Sequence, residues 1–420
     1  MNLFKVTHAE KAYLRELAKR QLEYARLPVM AEREKSWFRH NDGTGERPMV
    51  VMEINPFRGE LYPPMHCTSP FARAMEDQLL FHLVNHESVD DDKVVPDCFT
   101  VEPAIHILEH GFERVSHHAT DARGRQIGYA MVHPVKDLRQ DFHLIGPSVY
   151  RYDEKQSLEK MDAVNDVLGD ILPVAFHNNS LQWYMSFTAR AVNLMGLETL
   201  MVSMMDYPEE THALFQLIIE DSLGYMRWQE ETGLLTLNNH NDKAGAGSYG
   251  FTKQLPTEEC RRTGRIGLRD LWGNMNSQES VGISPTMYRE FIYPYFEKAA
   301  KEFGLVYYGC CEPVHAIWKD CLENLPNLKK VSISAWCDEK YMGEALAGTE
   351  VVYSRKPSPN YIGVGNFDEQ AFREHIGKTV AAARNCRLEI IFRDIYTLDD
   401  DPGKVKKAVR IVREMTEGGL

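Results

Sequence analysis

Hydrophobic and polar positions in the second half of the chain switch repeatedly between two periods. The runs LVYYGC (305–310), LKKVSIS (328–334), TEVVYSR (349–355) and RLEIIFRD (387–394) are short, apolar and rich in β-branched and aromatic residues. That composition predicts strands. Between and after them, PVHAIWKDCLENL (313–325), EKYMGEALAG (339–348), 368–384 and GKVKKAVRIVREM (403–415) place apolar residues at helical spacing. Ser284 and Pro285 suit the N-cap and first turn of a helix running to Gly304, because proline has no N–H to leave unpaired there. Earlier, RPMVVMEIN (47–55), ILPVAFHN (171–178) and LLTLNNH (234–240) read as strands, and Phe71–His86, Phe187–Leu197 and Glu209–Thr232 as helices. About eight strands with intervening helices predict a (β/α)8 TIM-type barrel. Residues 1–46 form an N-terminal helical extension, and 47–420 form the barrel with an irregular insertion around 103–152. An open doubly wound sheet is the competitor, but neither GxGxxG after a strand nor GxxxxGK[ST] occurs.

Composition narrows the function classes. The 420 residues are 43% hydrophobic and 26% charged, with a net charge of −13. Such an acidic chain lacks the basic footprint of a nucleic-acid binder and is disfavoured at an anionic membrane surface. No apolar run reaches membrane-spanning length, and the N-terminus lacks a secretory pattern. Eight cysteines without framework spacing point to reduced thiols or metal ligands, and so to the cytoplasm.

The candidate chemistry clusters where predicted strands end. GLVYYGCCEPVH (304–315) stops at Cys310 and Cys311, and a helix is expected to begin at Glu312 and Pro313. If the strand continues through them, the two thiols point to opposite sides. Glu312 is either a ligand or base, or a first-turn glutamate favoured by the helix dipole. His315 follows Cys311 by four residues, one helical turn; its alternative is a packed histidine. Asp338 after VSIS either orients a ligand histidine or caps the next helix. His240 closes LLTLNNH beside Asn239, and His177, Asn178 and Asn179 close LPVAF; both clusters suit a polar substrate or plain turn chemistry. Glu279 is a carboxylate for substrate or a loop charge. Arg393 and Asp394 either hold an anionic group or pair locally. AGAGSYG (244–250) reads as a flexible cover.

DYPEETH (206–212), ISPTMYREFIYP (283–294), the Cys310-Cys311 strand end, VSIS (331–334) and DPGKV (401–405) together resemble the uroporphyrinogen decarboxylase superfamily. The resemblance runs from about Leu172 to the C-terminus. It implies a TIM-type barrel with its pocket at the C-terminal strand ends. One branch of that family decarboxylates a tetrapyrrole without metal, using an arginine-rich motif that is absent here. The other moves methyl groups between small methylated compounds and a corrinoid protein, with zinc. Resemblance to that second branch implies a methyltransferase with zinc and a corrinoid carried by a separate protein. Alignment puts Cys311 on the family cysteine, facing the barrel axis. The family histidine position falls on Gly309 or Tyr308, and the last strand has no cysteine, so zinc would take Cys311, Cys310 and His315. The expected catalytic set is Cys311, Glu312, His240 and Asp338; the substrate set is His177, Asn178, Asn239, Tyr308, Glu279 and Arg393. A metal-free carboxy-lyase acting on a small acid or tetrapyrrole-like substrate is the alternative, and a non-catalytic ligand-binding barrel is the third reading.

Overall fold

In the computed structural model, which describes residues 3–120, 126–178 and 185–416, six of the eight parallel strands fall in the apolar runs. Eight parallel strands are β1 (Met49–Met52), β2 (Phe99–Val101), β3 (Val174–Phe176), β4 (Trp272–Met275), β5 (Leu305–Tyr308), β6 (Leu328–Ile333), β7 (Val352–Arg355) and β8 (Arg387–Phe392). Six form one sheet in the order β1-β8-β7-β6-β5-β4, and β2 pairs with β3 separately. The fold is mixed α/β, with helices in most of the long connections that parallel pairing requires.

The two faces of the large sheet differ in chemistry. Val50, Met52, Val331, Ile333, Leu388, Ile390 and Phe392 join the main apolar core under the helices. The alternate positions carry Lys330, Ser332, Ser354 and Glu389, all fully buried. Lys330 donates to Glu389 at 3.0 Å, and Ser354 Oγ donates to the same carboxylate. A buried ion pair survives only when each member is well paired and hydrogen-bonded. Here Ser248 Oγ and Tyr249 O also accept from Lys330. Those two residues belong to the AGAGSYG segment, which forms a β-hairpin (Lys243–Gly245 with Ser248–Tyr249) buried against this polar face. The expected cover is therefore a plug. Gly245 permits it: a Cβ there would lie 2.2 Å from a Tyr307 ring carbon.

The N-terminal helices are α1 (His8–Ala25), opened by a Thr7–Glu10 capping box, and α2 (Pro28–Asp42). Leu14 and Leu17 of α1 pack with Leu79, Leu83, Val164 and Leu168 in a second core. Trp37 of α2 closes the sheet's polar face with Met49, Val51 and Phe251. Between 103 and 152 the chain makes two antiparallel ribbons, Ile105–Leu108 with Val149–Tyr152 and Ser116–Thr120 with Gln126–Met131.

Two expectations fail locally. LLTLNNH does not join a backbone ladder. Asn238 instead accepts from Trp272 N at 2.9 Å and donates to Trp272 O at 3.0 Å, replacing a strand neighbour with a side chain. PVHAIWKDCLENL forms only two 3₁₀ turns, Val314–Ile317 and Leu322–Asn324, rather than an α-helix.

Candidate active site

Parallel strands bring their C-terminal ends to one edge of the sheet, which is where barrel-like folds gather chemistry. There Glu53 follows β1, Cys310 and Cys311 follow β5, Lys356 follows β7, and Arg393 and Asp394 follow β8. Gly309, at φ +98°, ends the β5 alternation. Both thiols consequently reach the same side, with their sulfurs 3.7 Å apart. The strand stops at Tyr308, so the condition for parting the thiols to opposite sides is not met: Cys310 is buried beside Tyr307 and Ala246, and half-buried Cys311 packs against it.

Charges surround the pair. Arg393 Nη1 donates to Cys310 Sγ at 3.2 Å, and Cys311 Sγ donates to Asp394 Oδ2 at 3.1 Å. Asp394 sits at φ +60°, a conformation costly for most side chains and enriched at functional sites. Glu53 lies 3.3 Å from Arg393 and 3.4 Å from Lys243. Burial opposes ionisation of Glu53, but Lys243 and Arg393 outweigh it and hold its carboxyl below the ordinary range. The neighbouring Cys311 thiol, aided by Arg393, holds Cys310 below the usual thiol value against its burial. Cys311 is pushed the other way by Cys310, burial and Asp394. Lys356 is buried, with its ammonium donating to Tyr307 OH and Ser354 Oγ. Burial brings its pKa down to about 7.

Cys311, Ser334, Lys356, Arg393 and Asp394 line a cleft of about 290 Å³ whose lining also includes Trp336 and Tyr396, 77% and 76% exposed. A second cleft of about 510 Å³ holds His177, His240, Asp242 and Lys243. In it His177 Nε2 lies 2.8 Å from Asp242 Oδ1, while His240 is exposed and packs on Phe38. Glu53, paired to both Lys243 and Arg393, links the two clefts.

Of the sequence candidates, Cys310, Cys311 and Arg393 gather at the first cleft, and His177 and His240 at the second. Others have structural duties. Asn239 is buried and donates to the carbonyls of Thr252 and Leu255. Asn178 ties Gln229 and Leu234 O, and Asn179 lies outside the described residues. Tyr308 faces the apolar core, its hydroxyl on Tyr288 OH. Glu279 accepts from Thr188 Oγ1. Glu312 is buried, accepts from the backbone N–H groups of Ser277 and Cys310, and has its carboxyl pushed up by burial. Asp338 is the exposed N-cap of Glu339–Leu346, accepting from Tyr341 N. Lys356, Glu53 and Lys243 escaped sequence reading, since a lysine or glutamate after an apolar run looks like an ordinary strand end.

Zinc fits this donor set poorly. A catalytic zinc site takes three protein ligands. His315 instead accepts from Asp338 N at 3.3 Å, and Arg393 already places a fixed cation on Cys310. Among the described residues no three His, Cys, Asp or Glu side chains converge as a metal cage. Cys311, Cys310 and His315, the expected set, are not gathered as such a cage among the described residues. Among the described residues, no helix is long and apolar enough to cross a membrane.

No family model and no curated protein matches the chain. Its fold is similar to that of a solved methyltransferase from Methanosarcina mazei, with a TM-score of 0.51 and 13% identity over 91% of this chain and 98% of that one. A likeness at that identity is one of fold, and fold alone does not carry a reaction.

Proposed function

We propose that this chain is a methyltransferase that takes a methyl group from a small methylated compound held in the Cys311–Asp394 cleft. In this reading the eight parallel strands β1–β8 make a (β/α)8 barrel, with the 234–239 segment bridging β3 to β4 through side chains and residues 1–46 as an extension, and the cleft lies at its open end. The observation that carries it is Lys356: a buried amine with a pKa of about 7, opening onto the same cleft as Cys311, Arg393 and Asp394. Methyl transfer leaves electron density on the departing heteroatom. An ammonium whose pKa matches neutral pH is well suited to protonate it. Arg393 and Asp394 orient the polar part of the donor, and Tyr307 and Ser354 aim the Lys356 amine. The acceptor is proposed to be the cobalt of a corrinoid on a separate protein, which supplies a soft nucleophile; exposed Trp336 and Tyr396 at the cleft suit a flat macrocycle. No step passes through zinc.

The test is methyl transfer from a panel of small methylated compounds to reduced corrinoid. Lys356→Met should lower kcat by about 10²–10⁴-fold. Undiminished turnover in that variant removes Lys356 from the chemistry. The second reading, a metal-free decarboxylase of a small acid, is favoured by one observation: two cationic side chains, Arg393 and Lys356, share the cleft and fit a carboxylate. Carbon dioxide release by chelator-treated protein, without corrinoid, would select it.

A further inference from the structure

We propose that Cys310 and Cys311 form a thiol–disulfide modification site, in which Cys311 reacts first with an external low-molecular-weight disulfide and Cys310 resolves the adduct into a vicinal disulfide.

Neighbouring residues in a continuous strand send their side chains to opposite faces. Here the turn at Gly309 abolishes that alternation and leaves the sulfurs 3.7 Å apart. Bond formation needs an approach to about 2.05 Å, within reach of side-chain rotation. The two thiols are also unequal. Cys311 lines the open cleft and hands its S–H to Asp394, a nearby proton acceptor. Cys310 is 3% exposed, so an external reagent meets Cys311 first. Arg393, paired with Glu53 and 3.2 Å from Cys310, stabilises a thiolate there.

In the first step the Cys311 sulfur attacks one sulfur of the external disulfide. The external S–S bond breaks, a new bond to Cys311 forms, and the proton passes by way of Asp394 to the departing thiolate. In the second step the Cys310 thiolate attacks Cys311 Sγ, the mixed disulfide breaks, and the second thiolate leaves and is protonated by solvent. The protein gives up two electrons and its external partner is reduced to two thiols. A disulfide between adjacent residues is strained, because it closes a smaller span than the usual Cα separation, so small thiols reverse it readily. While it persists, the cleft has no thiol and Asp394 loses its hydrogen-bond donor.

Oxidised glutathione added to the full chain tests this, read by intact mass and peptide mapping. The wild type should lose two hydrogens, confined to the peptide holding 310–311, with no lasting adduct. Cys310→Ser should trap glutathione on Cys311, and Cys311→Ser should slow the reaction at residue 310 by at least about tenfold. Asp394→Asn leaves both cysteines in place and should slow the first step by at least about tenfold. A persistent glutathione adduct on the wild type, an unreactive Cys310→Ser protein, or an Asp394→Asn protein reacting at the wild-type rate would each overturn the proposal.

Discussion

Lys356→Met should make the folded chain more stable at slightly acid pH while removing the proposed proton donor. An unfolded lysine titrates at 10.5, whereas burial brings Lys356 down to about 7. Because its folded pKa is depressed, protonation favours the unfolded chain. The penalty is full below about pH 7 and fades as pH rises towards 10.5. At roughly 1.4 kcal/mol per unit, it amounts to about 5 kcal/mol at pH ~6 and about 2 kcal/mol at pH ~9. Methionine keeps most of the volume but forfeits the hydrogen bonds to Tyr307 OH, Ser354 Oγ and Ser354 O, about 0.5–1 kcal/mol each. The variant should therefore exceed the wild type by about 2–3 kcal/mol at pH ~6, and the two should nearly coincide at pH ~9. Urea unfolding at several pH values measures the difference directly. A gap that stays constant between those pH values would refute the reasoning, because it would mean the amine is not depressed by burial.

Three further expectations follow from other parts of the sheet's polar face. Lys330→Met removes the cation paired with the buried Glu389 carboxylate and should cost about 3–5 kcal/mol in denaturant unfolding, most of it recovered by Lys330→Met with Glu389→Leu. Gly245→Ala drives a methyl group into Tyr307 and should cost about 1–3 kcal/mol, visible as a lowered Tm. Arg393→Gln removes the guanidinium that favours the Cys310 thiolate, so ultraviolet thiolate absorbance should appear at higher pH than in the wild type. The signal is attributable because burial pushes the Cys67 thiol up to about 12 and those of Cys321 and Cys386 up to about 11.

Apolar runs announced β1, β3 and β5 to β8, and the amphipathic helices 208–232, 369–382 and 403–416 were equally legible. Local propensity and packing agree in those elements. The 313–325 segment had helical spacing, yet Pro313 takes an extended backbone and burying Glu312 on the Ser277 amide holds the chain in short turns. The asparagines of 234–241 drew attention as substrate ligands because a polar cluster at a strand end looks the same whether it faces a substrate or a backbone. Asn238 and Asn239 face backbone.

Residue order by itself determined the strand and helix alternation, the place of the cysteine pair at a strand's end, and the acidic balance of the chain. Those properties depend on period and composition, which are local. The tertiary structure alone decided that AGAGSYG fills the sheet's polar face, that both sulfurs share one side, and that Lys356, Glu53 and Arg393 meet around them. Most such meetings join residues well separated along the chain, Glu53 with Arg393 the farthest, and burial changes the proton affinity of each charge. Neither the distance nor the loss of water is written into a stretch of neighbouring residues.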